Sequence, residues 1–271
     1  MENKTIAIIQ ARLTSTRFPQ KILEKINNLT LIEFLVKRVK ASKKVDQVIV
    51  AIPNNKENRI LKKYLKNVDF FLGSEEDVLD RYFHCAKELK LDVIIRITSD
   101  CPLIDPEIID KCVKKFENEN FDYLSNVHKK INGNWIYDPC GFPSGFAVEV
   151  FTFNALENAW KNAKKLSDRE HVTQYILDNP KKFKIAGLEN QENFSDLRLT
   201  LDYQVDFDLI KIIIEKFPIN EIFTLKKLVS FFKNYPELKE INANIPFNDG
   251  YLKSLIKDNS NHIDNMSKSL K

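Results

Sequence analysis

Apolar runs of strand length alternate with amphipathic segments through the first half of the chain. Uninterrupted apolar runs are typical of strands that are buried on both faces of a parallel sheet. They span residues 5–10, 45–52, 68–72 and 92–98. Helical periodicity covers 31–42, 56–66 and 78–90, and Asp105-Pro106 begins a further helix. This order predicts an α/β fold with a mainly parallel sheet.

The alternation ends near Phe121. Residues 121–126 and 146–151 are predicted strands, but the stretch between them is rich in aromatic and turn-forming residues. We expect an insert over about 127–165 that builds one side of a binding site or a dimer surface. Trp135 and Tyr137 in this insert could line that site, and packing in the core or at a dimer surface is the alternative.

The last third of the chain is again a mixture of helices and strands. A helix is predicted to begin at Arg169 and end near Pro180, followed by a strand over 197–203 and a helix to Phe217. Residues 1–241 are predicted to form a single domain, and residues 242–271 a polar C-terminal tail.

Composition limits the classes of partner. The chain has 271 residues, is 43% hydrophobic and carries a net charge of +4 from 42 basic and 38 acidic residues. This excess is too small for a protein that coats nucleic acid, but it suits a local anionic site. No apolar run approaches the roughly 18 residues of a membrane span. The cysteines lack metal-site or disulfide spacing, which favours a reducing, cytoplasmic setting.

A basic loop follows the first strand. It carries Arg12, Arg17 and Lys21 among hydroxyl-bearing residues, within 8–23. Cations held at the end of a buried strand, beside hydroxyl and backbone N–H donors, suit a polyphosphate. A solvated basic surface loop is the alternative.

An acidic loop follows the strand over 92–98. In open α/β sheets, ligands bind outside the carboxyl ends of the strands, so Asp100 is expected on the same rim as the basic loop. A carboxylate opposite a group of cations suits a metal–triphosphate complex. Asp100 as a turn residue and Asp202 as a helix N-cap are the structural alternatives.

Five ordered motifs give the sequence a family resemblance. They are I-x-A-R-x-x-S-T-R-x-P-x-K (Ile9 to Lys21), GSEEDVLDRY (73–82), RITSDCPLID (96–105), REHVTQYI (169–176) and RLTLDYQVD (198–206). Together they resemble the CTP-dependent sugar-acid cytidylyltransferases, which include the CMP-ketodeoxyoctulosonate and CMP-acylneuraminate synthetases, and in particular the SpsF type. The resemblance covers about residues 5–217.

The resemblance implies a fold, a reaction and partners. The fold is a three-layer α/β/α sandwich with a mixed, mainly parallel sheet, as in glycosyltransferase-A-like nucleotidyltransferases. The reaction is attack of an acceptor oxygen on the α-phosphate of CTP, with Mg²⁺ required and pyrophosphate released. The product would be a CMP-activated acidic sugar for a surface glycan, and relatives are commonly homodimers.

The resemblance also implies roles for individual residues. The implied catalytic residues are Arg12, Lys21 and Asp100, with Asp100 and Asp202 as the magnesium ligands. The implied nucleotide-binding residues are Ala11, Arg12, Arg17, Lys21, Gly73, Ser74 and Asp77. Ser74 and Asp77 can equally cap a helix, and Asp80 with Arg81 fits a solvated pair. The family often has Gly where this chain has Gln20. If the loop needs a positive φ at that position, Gln20 would be strained.

The acceptor site is implied by the REH motif. Arg169 could bind an acceptor carboxylate or phosphate, and His171 could assist deprotonation, with Glu170 between them. A packing histidine is the alternative for His171. A phosphorylated or phosphonate acceptor therefore remains open beside the acidic sugar. A glycosyltransferase of the same fold is disfavoured, since SDCP stands where an Asp-x-Asp motif would be expected.

Overall fold

The computed structural model describes residues 4–218 and 220–246 and, beyond them, Lys253, Ser254, Ile256 and Asp258. The strands are β1 (Ile6–Gln10), β2 (Lys25–Ile26), β3 (Leu29–Thr30), β4 (Gln47–Pro53), β5 (Asp69–Gly73), β6 (Val93–Thr98), β7 (Tyr123–Ser125), β8 (His128–Ile131), β9 (Asn134–Tyr137), β10 (Glu149–Thr152) and β11 (Ile185–Gly187). The α-helices are α1 (Leu31–Lys40), α2 (Val78–Glu88), α3 (Pro106–Glu119), α4 (Phe153–Asn162), α5 (Leu166–His171), α6 (Gln174–Asp178), α7 (Gln204–Lys216) and α8 (Leu225–Asn234).

Seven strands form one mixed sheet in the order β11-β7-β10-β6-β1-β4-β5. β1 pairs in parallel with both β4 and β6, and β4 pairs in parallel with β5. β10 runs antiparallel to β6 and β7, so its first residue, Glu149, lies opposite Arg96 near the carboxyl end of β6. The predicted mixed, mainly parallel sheet is confirmed.

Apolar side chains leave the sheet on both faces. Along β1, Ala7 and Ile9 belong to one core, and Ile6 and Ile8 to the other. The first core also contains residues of α1, α3, α7 and α8, whereas the second contains residues of α2, α4 and α6. A central sheet covered on both faces explains the uninterrupted apolar runs and confirms the three-layer α/β/α fold.

Side-chain caps fix where the helices next to the site begin. Thr30 and Glu33 form the predicted capping box of α1, with Thr30 N donating to Glu33 Oε2 at 2.8 Å. Asp77 caps α2 by accepting from Asp80 N at 2.8 Å. Asp105 caps α3 ahead of its Pro residue.

Three predicted elements are wrong, one of them the helix expected to begin at Arg169. Residues 56–66 contain a 3₁₀ segment, Asn58–Lys63, in place of the predicted helix, and Asn58 Oδ1 accepts from Leu13 N at 2.7 Å. Residues 197–203 are an extended segment outside the sheet. Its leucines are buried, but its backbone bonds go to loops at Ser144 and Asp100.

The predicted insert begins with a β-hairpin of β8 and β9, and the chain then returns to the central sheet as β10. Most of the predicted tail, 242–271, lies outside the described residues. At its start, Asn242 is buried and its side chain donates to Arg198 O at 3.0 Å and to Asp206 Oδ1 at 2.8 Å. None of the helices within the described ranges is long and apolar enough to cross a membrane.

Candidate active site

A cavity of about 530 Å³ opens beyond the carboxyl ends of β1 and β6. This is the rim at which ligands are expected in an open α/β sheet. The cavity brings together most of the residues predicted from the sequence. Those lining it are Ala11, Arg12, Arg17, Lys21, Asp100, Glu170, His171 and Asp202.

Three basic side chains converge on Asp202, and we call Arg17, Lys21, Arg198 and Asp202 the Asp202 cluster. Arg17 Nη2 lies 2.6 Å from Asp202 Oδ1, Lys21 Nζ lies 2.9 Å from the same oxygen, and Arg198 Nη2 lies 3.5 Å from Oδ2. Burial would raise the pKa of Asp202, but Lys21 and Arg17 hold it below its usual value. Arg198 also pairs with the buried Asp206 at 2.9 Å, so Arg17 and Lys21 exceed Asp202 by one positive charge, which suits a phosphate chain.

The loop before this cluster is fixed by its backbone. Gln20 N donates to Leu13 O at 3.1 Å, and Leu23 N donates to Gln20 O at 2.8 Å. Gln20 itself has φ 56° and ψ 17°, the left-handed conformation that the glycine of the family pattern suggested. The loop therefore keeps the glycine geometry with a residue that is strained in it.

Asp100 is tied to the segment that carries Asp202. The Asp100 carbonyl accepts from Leu201 N at 2.8 Å and from Thr200 Oγ1 at 3.2 Å. The two aspartates therefore lie on backbone segments that are hydrogen-bonded to each other. Within its side chain, Oδ1 accepts from Thr98 and from the Cys101 thiol, while Oδ2 has no hydrogen-bond donor among the described residues.

The oxygen donors of this wall fit a hard divalent cation. In the part of the chain that the structure describes, Asp100 Oδ2 has no donor and Asp202 Oδ2 has only the long contact to Arg198. No group of three or more potential ligands occurs among the described residues. Two carboxylates completed by substrate phosphates and water is the way in which Mg²⁺ is commonly bound.

A second polar cluster lies in the same cavity, and we call Arg96, Tyr123, His128, Glu149 and Thr173 the Glu149 cluster. The buried Glu149 carboxylate forms an ion pair with Arg96 and accepts from Tyr123 OH at 2.7 Å and Thr173 Oγ1 at 2.5 Å. His128 Nδ1 lies 2.9 Å from Tyr123 OH. All but Tyr123 line the cavity.

Gly73, Ser74 and Asp77 do not line the cavity but hold a residue that does. Ser74 O accepts from Arg81 Nη1 at 2.6 Å, and a Cβ at Gly73 would lie 2.8 Å from Arg81 Cγ. Arg81 is buried, so the interpretation of it as one of a solvated pair is wrong. Its Nε lies in the wall without a hydrogen-bond partner among the described residues.

Arg169 is engaged away from the cavity. Its Nε and Nη2 both donate to Asp77 Oδ2, the former at 2.8 Å, and its Nη1 donates to Trp160 O at 2.8 Å. Arg169 thus ties α5 to the start of α2. The guanidinium is turned to Asp77, and Arg169 is not among the residues that line the cavity.

The REH motif ends a helix, so the prediction that a helix begins there is wrong. α5 stops at His171, and Val172, fully buried, adopts φ 68° and ψ −54°, with Thr173 N donating to His171 O at 2.7 Å. This γ-turn is strained for a β-branched residue. It places Glu170, His171 and Thr173 on the cavity wall together.

Several cavity residues were missed by sequence reasoning. They are Arg81, Arg96, His128, Glu149, Thr173 and Arg198. A signal existed for two of them: Arg96 and Glu149 are charged residues within otherwise apolar strands, which demands a partner. His128 carried no such signal, because its neighbours come from β7 and from Tyr137 of the hairpin.

Residues 6–234 match the family model described as Cytidylyltransferase. The spore coat polysaccharide biosynthesis protein SpsF of Bacillus subtilis is 30% identical over 245 residues, covering 87% of this chain and 96% of that protein. A 3-deoxy-manno-octulosonate cytidylyltransferase of Nitratiruptor sp. is 34% identical over 139 residues, covering 49% of this chain and 57% of that protein. A solved cytidylyltransferase from Leptospira borgpetersenii superposes with a TM-score of 0.79 at 30% identity, covering 90% and 99% of the two chains.

Proposed function

The chain belongs to the cytidylyltransferase family, and on that premise we propose that it transfers CMP from CTP to an acidic sugar of the ulosonic or nonulosonic acid type, with release of pyrophosphate. The observation that carries the proposal is the meeting of Lys21 and Arg17 on Asp202, beside Asp100, in one cavity. The Glu149 cluster lines another part of the same cavity, where an acceptor could bind beside the nucleotide.

The Asp202 cluster is proposed to hold the triphosphate. When the acceptor hydroxyl attacks the α-phosphorus, the bond to the bridging oxygen of the β-phosphate breaks and negative charge moves onto pyrophosphate. Lys21 and Arg17 are already oriented by Asp202, so they can stabilise that charge without rearranging. Arg12, half exposed and 4.0 Å from Glu170, is proposed to reach the phosphates from the opposite wall.

Asp100 and Asp202 would hold Mg²⁺ together with phosphate oxygens. When bound, the ion would neutralise phosphate charge and orient the α-phosphate for in-line attack. The contribution of the chain is to fix the two carboxylates, which it does through the bond from Leu201 N to Asp100 O.

The nucleoside is proposed to lie near Ala11, Val78 and Arg81, which line the cavity where α2 begins. In this arrangement Gly73, Ser74 and Asp77 act on the nucleotide by holding Arg81 and the helix start. Glu170 and His171 are proposed to contact the acceptor, and Arg169 to position them. Burial lowers the pKa of His171, which keeps the ring neutral near pH 7.

The biological setting is proposed from the relatives. SpsF is named for polysaccharide biosynthesis and the Nitratiruptor protein for a sugar acid, so a CMP-sugar for a surface glycan is the proposed product. A homodimer and a cytoplasmic location complete the proposal. The free cysteines at 85, 101, 112 and 140, all buried, suit a reducing compartment.

Pyrophosphate release tests this proposal. The purified chain is incubated with each of the four NTPs, Mg²⁺, and either 3-deoxy-D-manno-octulosonate or N-acetylneuraminate. Release that requires CTP and one of the sugar acids supports the proposal. Release that requires an NTP other than CTP overturns the proposal. A lack of release from CTP with both sugar acids overturns it as well. Mass spectrometry of the product distinguishes a CMP-sugar from simple hydrolysis of CTP.

A further inference from the structure

The Glu149 cluster contains a guanidinium that is only partly used. Arg96 forms its ion pair with Glu149 through Nη1 and donates from Nε to Gln10 Oε1 at 3.2 Å. Its Nη2 donates to none of the described residues, yet the side chain lines the cavity and is 11% exposed. One donor of a nearly buried arginine therefore remains for a ligand.

The net charge of this cluster is zero. Burial would raise the pKa of Glu149, but Arg96, with the hydrogen bonds from Thr173 and Tyr123, keeps it below its usual value and the carboxylate ionised. Burial lowers the pKa of His128 to about 4, so the ring is neutral near pH 7. Arg96 is thus neutralised by Glu149, and His128 adds no charge.

The remaining charged groups on this side do not alter that balance in favour of anions. Glu170 lies on the wall at 4.0 Å from Arg12, and Asp178 lies 3.3 Å from Lys165. Lys21 and Arg17 lie on Asp202, and Arg198 is shared between Asp202 and Asp206, so these cations belong to the Asp202 cluster, which is proposed to hold the phosphates of the nucleotide. An acceptor group beside Arg96 finds a hydrogen-bond donor without an excess of positive charge.

We propose that Arg96 is a specificity-determining residue that binds the carboxylate of the acceptor, and that Glu149 excludes acceptors bearing a phosphate or phosphonate. This inference rests on the proposed cytidylyl transfer. A monoanionic carboxylate needs one charge-assisted donor, which Nη2 supplies. A group carrying close to two negative charges meets the buried Glu149 carboxylate, and the Glu149 cluster holds no second cation to compensate it.

The proposal separates two acceptor classes that the sequence left open. The wild-type enzyme is expected to use 3-deoxy-D-manno-octulosonate or N-acetylneuraminate and to reject glucose 1-phosphate and 2-aminoethylphosphonate. An enzyme that uses a phosphate-bearing acceptor and neither sugar acid overturns this inference and the proposed acidic-sugar acceptor, but leaves transfer of CMP from CTP standing. If CTP yields no pyrophosphate with any acceptor of either class, both proposals are overturned.

Two substitutions test the residues themselves. Arg96→Gln is expected to raise the KM for the sugar acid about 10- to 100-fold, the cost of one charge-assisted hydrogen bond, and to leave the KM for CTP within about twofold. Glu149→Gln is expected to shift kcat/KM about 10-fold in favour of the phosphate-bearing acceptors. An unchanged acceptor KM in Arg96→Gln, or an unchanged preference in Glu149→Gln, contradicts the proposal.

Controls separate recognition from folding. Arg96→Gln leaves Glu149 without its cation, so the double variant Arg96→Gln/Glu149→Gln removes both charges and keeps hydrogen-bonding groups at both positions. It is expected to show the same rise in acceptor KM at an unchanged KM for CTP. A merely structural pair would move both KM values together. Lys44→Gln, in an exposed ion pair with Glu117, is the matched surface variant and should leave both unchanged.

Discussion

Lys21 Nζ donates to Asp202 Oδ1 at 2.9 Å and joins two residues that are 181 positions apart in the sequence. The same ammonium group donates to the carbonyl of Leu201. Lys21 therefore links the loop after β1 to the segment before α7. Because the lysine is buried and held at two points, it presents a fixed positive charge to the cavity.

Substitution of Lys21 tests that fixed charge. In Lys21→Met the cavity loses one cation that is oriented for the leaving pyrophosphate, and kcat is expected to fall about 10²- to 10³-fold. The rate of pyrophosphate release from CTP measures this. Lys25→Met, at an exposed position on β2, is the matched control and should retain full activity. A Lys21→Met enzyme as active as the control would remove Lys21 from the mechanism.

The strained loop residue gives a stability prediction. Gln20 is exposed and has φ 56°, so Gln20→Gly should relieve the left-handed strain and raise the free energy of unfolding by about 0.5–1 kcal/mol. Gln20→Ala keeps a Cβ and should give no gain. Urea unfolding of the three proteins measures the difference. Equal stabilities for Gly and Gln at this position would show that the strain is relieved by other means.

A buried carboxylate in α5 gives a pH prediction. Burial raises the pKa of Asp168 to about 6, with Asp178 and Asp258 adding to the rise and Lys165 opposing it. Between pH 3.8 and pH 6 the folded protein binds more protons than the unfolded chain at this site, so its contribution to stability falls as pH rises and stays low above pH 6.

Asp168→Asn should therefore stabilise the protein at pH 7.5, by about 1–2 kcal/mol, and should lose this advantage near pH 4. Urea unfolding at the two pH values measures the effect. Asp178→Asn, at a carboxylate whose side chain is 39% exposed, is the comparison and should change stability much less. An Asp168→Asn protein that is no more stable than wild type at pH 7.5 would contradict the conclusion that burial of this carboxylate destabilises the folded protein.

The part of the site that could be predicted from sequence lies in contiguous motifs. The site residues of the loop over 9–21 and of the turn at Asp100 each lie within one short segment. Both segments follow strands of the parallel sheet, so the strand ends bring them to one rim whatever the details of packing. Asp202 was placed by its motif although its segment is not a strand. These cases need only local chemistry and the general geometry of a parallel sheet.

The remainder depends on pairings that no local pattern contains. Glu149 meets Arg96 because β10 runs antiparallel to β6, across 53 residues of sequence. Arg169 has the chemistry of an anion-binding residue, but Asp77, 92 residues earlier in the chain, takes two of its donors. The turn at Val172 likewise depends on tertiary packing, since an isolated valine disfavours that conformation.

The most direct test of the metal–triphosphate site is the activity of Asp100→Asn. The substitution keeps size and hydrogen bonding but removes the carboxylate charge, so CTP-dependent pyrophosphate release at saturating Mg²⁺ is expected to fall at least about 10³-fold with the circular dichroism spectrum and thermal unfolding unchanged. Asp92→Asn, at the exposed residue just before β6, should behave like wild type. If Asp100→Asn releases pyrophosphate at the wild-type rate, Asp100 is not a ligand of the catalytic metal and the central claim is wrong.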